Sequence, residues 1–171
     1  MKSAELLDRL MAGAKQSAWG LKKLNFTLLR VIPFNLPHKF KITRITDELV
    51  ETELPFRRKN LNHLKGIHAC AMATLAEYTT GLFLLSKSSS GGYRLIMKSI
   101  HVEYHYQARS KVTASFGMSA EEFDRKVKAP LERDGLLLDE FSVKLYDVDQ
   151  NLVATGTMEW QLKDWKKVKS K

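Results

Sequence analysis

One carboxylate, Glu77, stands alone in a stretch free of Lys, Arg and Asp, residues 66–86, GIHACAMATLAEYTTGLFLLS. A carboxylate among apolar residues is costly unless it is hydrogen-bonded, paired or open to a pocket. Glu77 is therefore either satisfied by Thr74, Tyr78 or a backbone group, or it is held for chemistry as a general base or nucleophile. Just ahead of it lie Asn60, Asn62, His63, Gly66 and His68. By residue type alone the two asparagines read as loop or cap residues, and His68 as a polar residue at a helix start. The single cysteine, Cys70, can form no intramolecular disulfide, and its place in the apolar stretch makes it a small core residue. His101, Glu103 and His105 alternate on one strand face as metal ligands can, but no fourth residue joins them. The set reads as a polar sheet face, and no metal is expected.

The elements that must position these groups follow from periodicity. Residues 66–86, bracketed by Lys65 and Lys87, read as a buried helix; Ala, Gly, Thr, Ser and Cys are too frequent, and a mid-membrane Glu too costly, for a membrane span. Residues 3–24 have Leu7, Leu10, Met11, Ala14, Ala18, Leu21 and Leu24 at helical spacing, with Ser3 as N-cap, and predict one amphipathic clasp helix. Pro33 and Pro37 make 25–37 irregular. Strands are expected at 38–47 and 48–56, then at 93–108 and 112–118 after a flexible 86–92 connector. Along 93–108, Ile96, Lys98, Ile100, Val102, Tyr104 and Tyr106 alternate with Met97, Ser99, His101, Glu103, His105 and Gln107. Ser119 to Glu122 has capping-box spacing for a short helix that Pro130 interrupts and Gly135 ends, with Phe123 and Val127 inward. Residues 136–147 and 151–162 form the clearest hairpin.

The chain has 171 residues and a formal charge of +9, enough for one domain with a real core. A basic balance fits nucleic acid, an anionic membrane or small anions such as coenzyme A phosphates. Much of the excess lies in Lys163, Lys166, Lys167, Lys169 and Lys171, which read as a solvated tail. No groove-reading motif supports nucleic acid, and the charged N-terminus is no export signal, so a reducing, cytoplasmic setting is expected with no integral membrane association. The organisation is an N-terminal helix and connector at 1–37, a main domain at 38–165 and a basic tail at 166–171.

A long apolar helix followed mainly by antiparallel strands is buried only if the sheet curls around it. That is an α+β architecture of the hotdog type. The helix approach, N-H-L-K-G-I-H-A-C-A-M-A-T-L-A-E, resembles the hotdog acyl-CoA thioesterases of the phenylacetate-pathway type, which have an Asn, a Gly-rich His-Gly-Gly segment and a helix acid in this order. Asn62, Gly66, His68 and Glu77 match. Tyr104 to Lys111 is similar to the family's aromatic-to-basic turn, and Met158-Glu159-Trp160 to its closing strand. Ala69 and Cys70 replace two glycines, and Ala69 keeps the backbone N–H that an oxyanion needs.

The resemblance implies hydrolysis of an acyl-CoA thioester in a homodimer or dimer of dimers, with coenzyme A as part of the substrate and no separate cofactor. Glu77 would be general base or nucleophile. N–H groups at His68 and Ala69 would hold the oxyanion, and Asn62 would orient water or substrate. His68 and Glu77 lie roughly 13 Å apart along one helix, so two chains are needed to join them. His63, Gly66, Arg57, Arg58, Lys65, Arg109 and Lys111, with Lys59, are the candidates for substrate and phosphate contacts. Two alternatives stand beside hydrolysis. A non-catalytic acyl-CoA or fatty-acyl binding protein would use the same pocket. An acyl dehydratase or hydratase would use His63 with Glu77, although the His-Phe-Pro and Pro-Gly signatures of those enzymes are missing.

Overall fold

A computed structural model describes residues 2–88 and 92–164. Six strands form one antiparallel sheet in the order β1-β2-β4-β5-β6-β3. They are β1 (Lys41–Ile45), β2 (Leu49–Leu54), β3 (Tyr93–Tyr104), β4 (Val112–Gly117), β5 (Leu136–Tyr146) and β6 (Leu152–Asp164). The sheet wraps the long central helix α4 (Ala69–Lys87), which touches β2, β3, β4, β5 and β6. This is the hotdog arrangement. Leu75, Phe83 and Leu84 of the helix are fully buried, as are Leu54, Leu145, Met158 and Leu162 of the sheet. Close approach is set at Gly156, where a Cβ would stand 2.7 Å from Ala76 Cβ. Thr52 and Thr79 join sheet to helix through a buried 2.6 Å hydrogen bond.

The N-terminal region departs from expectation. Two helices replace one, α1 (Lys2–Gln16) and α2 (Ala18–Val31), so Ser3 lies inside α1. Ser17 breaks them: it is extended (φ −154°, ψ 150°), and its side chain accepts the Gly20 N–H as the N-cap of α2. A single apolar stripe spans both because the hairpin folds it onto one body. The turn requires glycine at position 20, where a Cβ would lie 2.0 Å from the Gly13 carbonyl oxygen. The expected irregular segment at 25–37 is largely helical, since α2 runs to Val31 and a short α3 (Asn35–His38) follows. Pro33 ends one helix without preventing the next.

Two further expectations need correction. In β3 the pairing with β6 shifts between Met97 and Ser99, where Lys98 is an extra residue. The alternation therefore reverses, and Met97 opposes Trp160 while Ile100 opposes Met158. Pro130 does not interrupt the excursion before β5. α5 (Ala120–Phe123), a π turn (Asp124–Lys128) and α6 (Ala129–Asp134) run on, with Pro130 in the first turn of α6, where a missing N–H is tolerated. Gly135 ends α6 in the left-handed region (φ 70°). The 166–171 tail and the 89–91 part of the connector lie outside the described residues. No helix is long and apolar enough to cross a membrane among the described residues.

Candidate functional site

One face of α4 carries Cys70, Thr74, Glu77, Gly81 and Leu85, and the C-cap Ser88 continues it; the spacing of three or four residues makes them one stripe. Two cavities lie along it. The larger, about 500 Å³, takes Thr74, Glu77, Gly81 and Leu85 from the helix and Ser88 from its C-cap. The smaller, about 300 Å³, surrounds the helix start with His68, Cys70, Ala71 and Thr74. Thr74 and Phe34 line both. The expected burial of Cys70 is wrong: the thiol is exposed, because the first turn of α4 presents this face outward before the sheet closes over the opposite one.

Glu77 is half-buried on the wall of the larger cavity. Its carboxylate has no hydrogen-bond or ion-pair partner among the described residues; Thr74 donates its hydroxyl to Cys70 O at 2.9 Å instead. Burial raises the Glu77 carboxyl above its ordinary pKa. The same acid helps to raise the Tyr78 hydroxyl, after burial as the main cause. Trp160 closes the wall behind Glu77, its indole N–H donating to Thr80 Oγ1 at 3.1 Å. At Gly81 a Cβ would stand 3.2 Å from the Trp160 ring and 3.8 Å from Glu77 Oε1. Neither Trp160 nor Gly81 is signalled as a site residue by the sequence, since both read as core.

At the helix N-terminus, one of the two expected oxyanion donors is already engaged. The His68 N–H donates to Asn60 O at 2.8 Å. The His68 ring, as N-cap, accepts the Cys70 N–H at Nδ1, 3.1 Å away. The N–H of Ala69 has no partner among the described residues. Tyr104 reaches over from β3 and donates its hydroxyl to Ala69 O at 3.0 Å, and its own pKa is raised, mainly by burial.

Asn62 organises its own loop. Its Oδ1 accepts the N–H groups of Leu64 (3.0 Å) and Gly66 (3.2 Å), which leaves Nδ2 as the group it can offer outward. Gly66 is buried beneath Gln107, and His63 is exposed. Asn60 is the residue that sequence reasoning undervalued. Fully buried, it donates through Nδ2 to His38 O (3.0 Å) and Pro55 O (2.8 Å) and accepts His38 Nδ1–H at 3.0 Å. It fixes the approach to α4.

The cations divide into groups. Lys65 lies on the Asn62–Gly66 loop, which packs on the Gln107–Ala108 segment next to Arg109, while Arg109 itself donates to Gln107 Oε1 at 3.1 Å. Lys111 is paired with Glu53 at 2.9 Å. Arg57, Arg58 and Lys59 lie at the 3-10 turn that ends at Asn60. On the outer sheet, His101 lies 3.8 Å from Glu103, and His105 bonds Thr155 at 3.0 Å. No group of three residues among those described could hold a metal ion.

The family model described as a domain of unknown function, DUF4442, matches residues 20–162. The chain belongs to this family. No curated protein matches the DUF4442 chain in sequence. Solved structures do match it in fold. A Pseudomonas aeruginosa protein of unknown function, described as a probable thioesterase, is 22% identical with a TM-score of 0.76, over 84% of this chain and 95% of that one. A protein of unknown function from Chlorobaculum tepidum is 12% identical with a TM-score of 0.72, over 84% and 93%. A thioesterase from Haemophilus influenzae is 14% identical with a TM-score of 0.62, over 84% and 90%. These likenesses place the DUF4442 chain in the hotdog fold. The family match begins after α1.

Proposed function

We infer that this protein is a thioesterase that hydrolyses acyl-CoA. The observation that carries the reading is Glu77, a half-buried carboxylate with no partner among the described residues on the wall of a mostly apolar cavity. Thioesterases among the structural neighbours, and the motif order Asn62, Gly66, His68, Glu77, support the same class. Glu77 takes a proton from water as the water attacks the thioester carbonyl. The tetrahedral oxyanion is held by the Ala69 N–H at the positive end of the α4 dipole. As the carbon–sulfur bond breaks, the departing thiolate takes the proton back from Glu77, giving free acid and coenzyme A thiol.

Ala69 and Glu77 are eight residues apart, about 12 Å along one helix, so the donor comes from a second copy. Support for a homodimer lies in β3, a 12-residue strand at the sheet edge. Ile96, Met97, Ile100 and Tyr104 are exposed along it, an apolar edge that proteins seldom leave bare. In that assembly Asn62 Nδ2 orients water or substrate beside the partner's acid. Lys65 and Arg109 contact the coenzyme A phosphates, with Lys111 able to join only by leaving Glu53.

The test is thiol release from a panel of short, medium, long and aromatic acyl-CoAs, repeated with Glu77→Gln. Turnover that disappears in a folded variant supports the mechanism, and equal turnover removes it. Ligand-induced stabilisation without turnover in the wild type would instead identify an acyl-binding protein.

A further inference from the structure

The larger cavity has a wall that the hotdog body does not supply. Leu7 and Met11 of α1 and Leu28 and Ile32 of α2 and its end face the Glu77 stripe across the space. The family match starts at residue 20, so α1 is outside it. α2 is held firmly to the sheet, because Asn25 accepts the Ile42 N–H at 2.7 Å and donates to Ile42 O at 2.9 Å. α1 is docked by its apolar stripe and by the exposed Lys15–Asp47 bridge at 2.8 Å.

The cavity has a direction. Glu77 lies near one end, and Ser88 and Arg94 lie at the other, where Ser88 Oγ and Arg94 Nε are buried without hydrogen-bond partners among the described residues. Ser88, the C-cap, lies eleven positions beyond Glu77, about 16 Å along the helix axis. Between them the helix and sheet supply Gly81, Leu82, Leu85, Leu95 and Trp160, and the lining is mostly apolar, with Asp8, Asn35, Thr74, Tyr78 and Tyr93 as its other polar residues. With carbon–carbon bonds of about 1.5 Å, a staggered chain needs roughly a dozen carbons to cover that distance.

We propose that this cavity is an acyl-chain site for an unbranched aliphatic chain of about a dozen carbons, roofed by α1 and α2, with Leu7 and Met11 as residues that set chain length. It rests on the acyl-thioester reading for the group beside Glu77. The apolar lining rewards each added methylene until the chain reaches Ser88 and Arg94, where hydrocarbon would leave two buried polar atoms without water. Glycine at position 81 keeps the channel open past Trp160, since a larger residue there would crowd both the indole and the acid.

The experiment has two independent readouts on the full-length protein: equilibrium binding of butanoic, octanoic, dodecanoic and octadecanoic acids, and turnover of the matching acyl-CoAs. Affinity should rise about fourfold per methylene up to dodecanoic acid and fall for octadecanoic acid. Leu7→Trp from the roof and Leu95→Trp from the opposite wall fill the space from different elements. Each should weaken dodecanoic acid at least tenfold and lower the dodecanoyl-to-butanoyl turnover ratio by a similar factor, with unfolding midpoints confirming that at least one variant folds. Unchanged dodecanoic acid binding in either folded variant overturns the proposal. Binding that follows these rules without turnover keeps the site and removes hydrolysis; turnover indifferent to chain length keeps hydrolysis and removes the site.

Discussion

The carbonyl of Asn60 accepts the backbone N–H of His68 at 2.8 Å, so the residue that anchors the loop also consumes the first donor of the central helix. The Asn60 side chain meanwhile holds His38 and Pro55. Loop, α3 and helix start are therefore tied together, while the Ala69 N–H has no partner among the described residues.

Asn60→Ala strips three side-chain hydrogen bonds from a fully buried position and takes the Asn60 donor away from the His38 and Pro55 carbonyls. A loss of about 3 kcal/mol is expected in urea unfolding. Turnover at temperatures where the variant is still folded should fall as well, because the N-terminus of α4 loses its fixed position. A stability change below about 0.5 kcal/mol would mean that this network is not the anchor.

Cys70 shares the smaller cavity with His68 and Thr74 and is exposed. N-ethylmaleimide should modify it in the native protein without denaturant. The adduct fills the space beside Ala69, so turnover should fall in step with labelling, and acyl-CoA should protect. Labelling that appears only after unfolding would contradict the exposed position.

Much of this layout is legible in the sequence, for physical reasons that also explain where legibility ends. The β5–β6 hairpin and α4 are long and strongly periodic, and each must bury against the other. Glu77 is conspicuous because nothing around it is charged. Ser17 is not conspicuous, because a serine N-cap inside a continuous apolar stripe looks like one more polar-face residue. Lys98 hides a bulge that reverses β3, since both phases of the alternation contain apolar residues. Asn60 and Asn62 flank one leucine, and only the fold shows that the first holds the core while the second shapes the loop. The larger cavity has no local signal at all, being made where α1, α2 and α4 meet β3 and β6.

The exposed β3 edge predicts dimer formation through this strand. Ile96→Lys with Ile100→Lys places two charges along it. The doubly substituted protein should run as a monomer in light scattering, keep its circular dichroism, and lose turnover of all acyl-CoAs together, since the Ala69 donor and Glu77 would no longer meet. A monomer with full turnover would show that one chain holds the complete site.

Glu77 links stability to activity through the proton. Burial raises its folded pKa, so the native state binds this proton more tightly than the unfolded chain does. Protonated Glu77 therefore carries no penalty below the unfolded value of about 4.3, and stability is lost as the pH rises from there through the folded value. Glu77→Gln lacks this loss. Its melting temperature should match the wild type near pH 4 and exceed it by a growing, then constant, margin toward neutrality. Catalysis runs the opposite way, because a general base must be ionised: wild-type kcat/KM should rise with pH through an inflection above the ordinary carboxyl value. Glu77→Gln should lose about 10²- to 10⁴-fold in turnover. A variant that is less stable than the wild type at neutral pH would mean that the carboxylate is held by a favourable contact, and the case for Glu77 as a waiting base would fail.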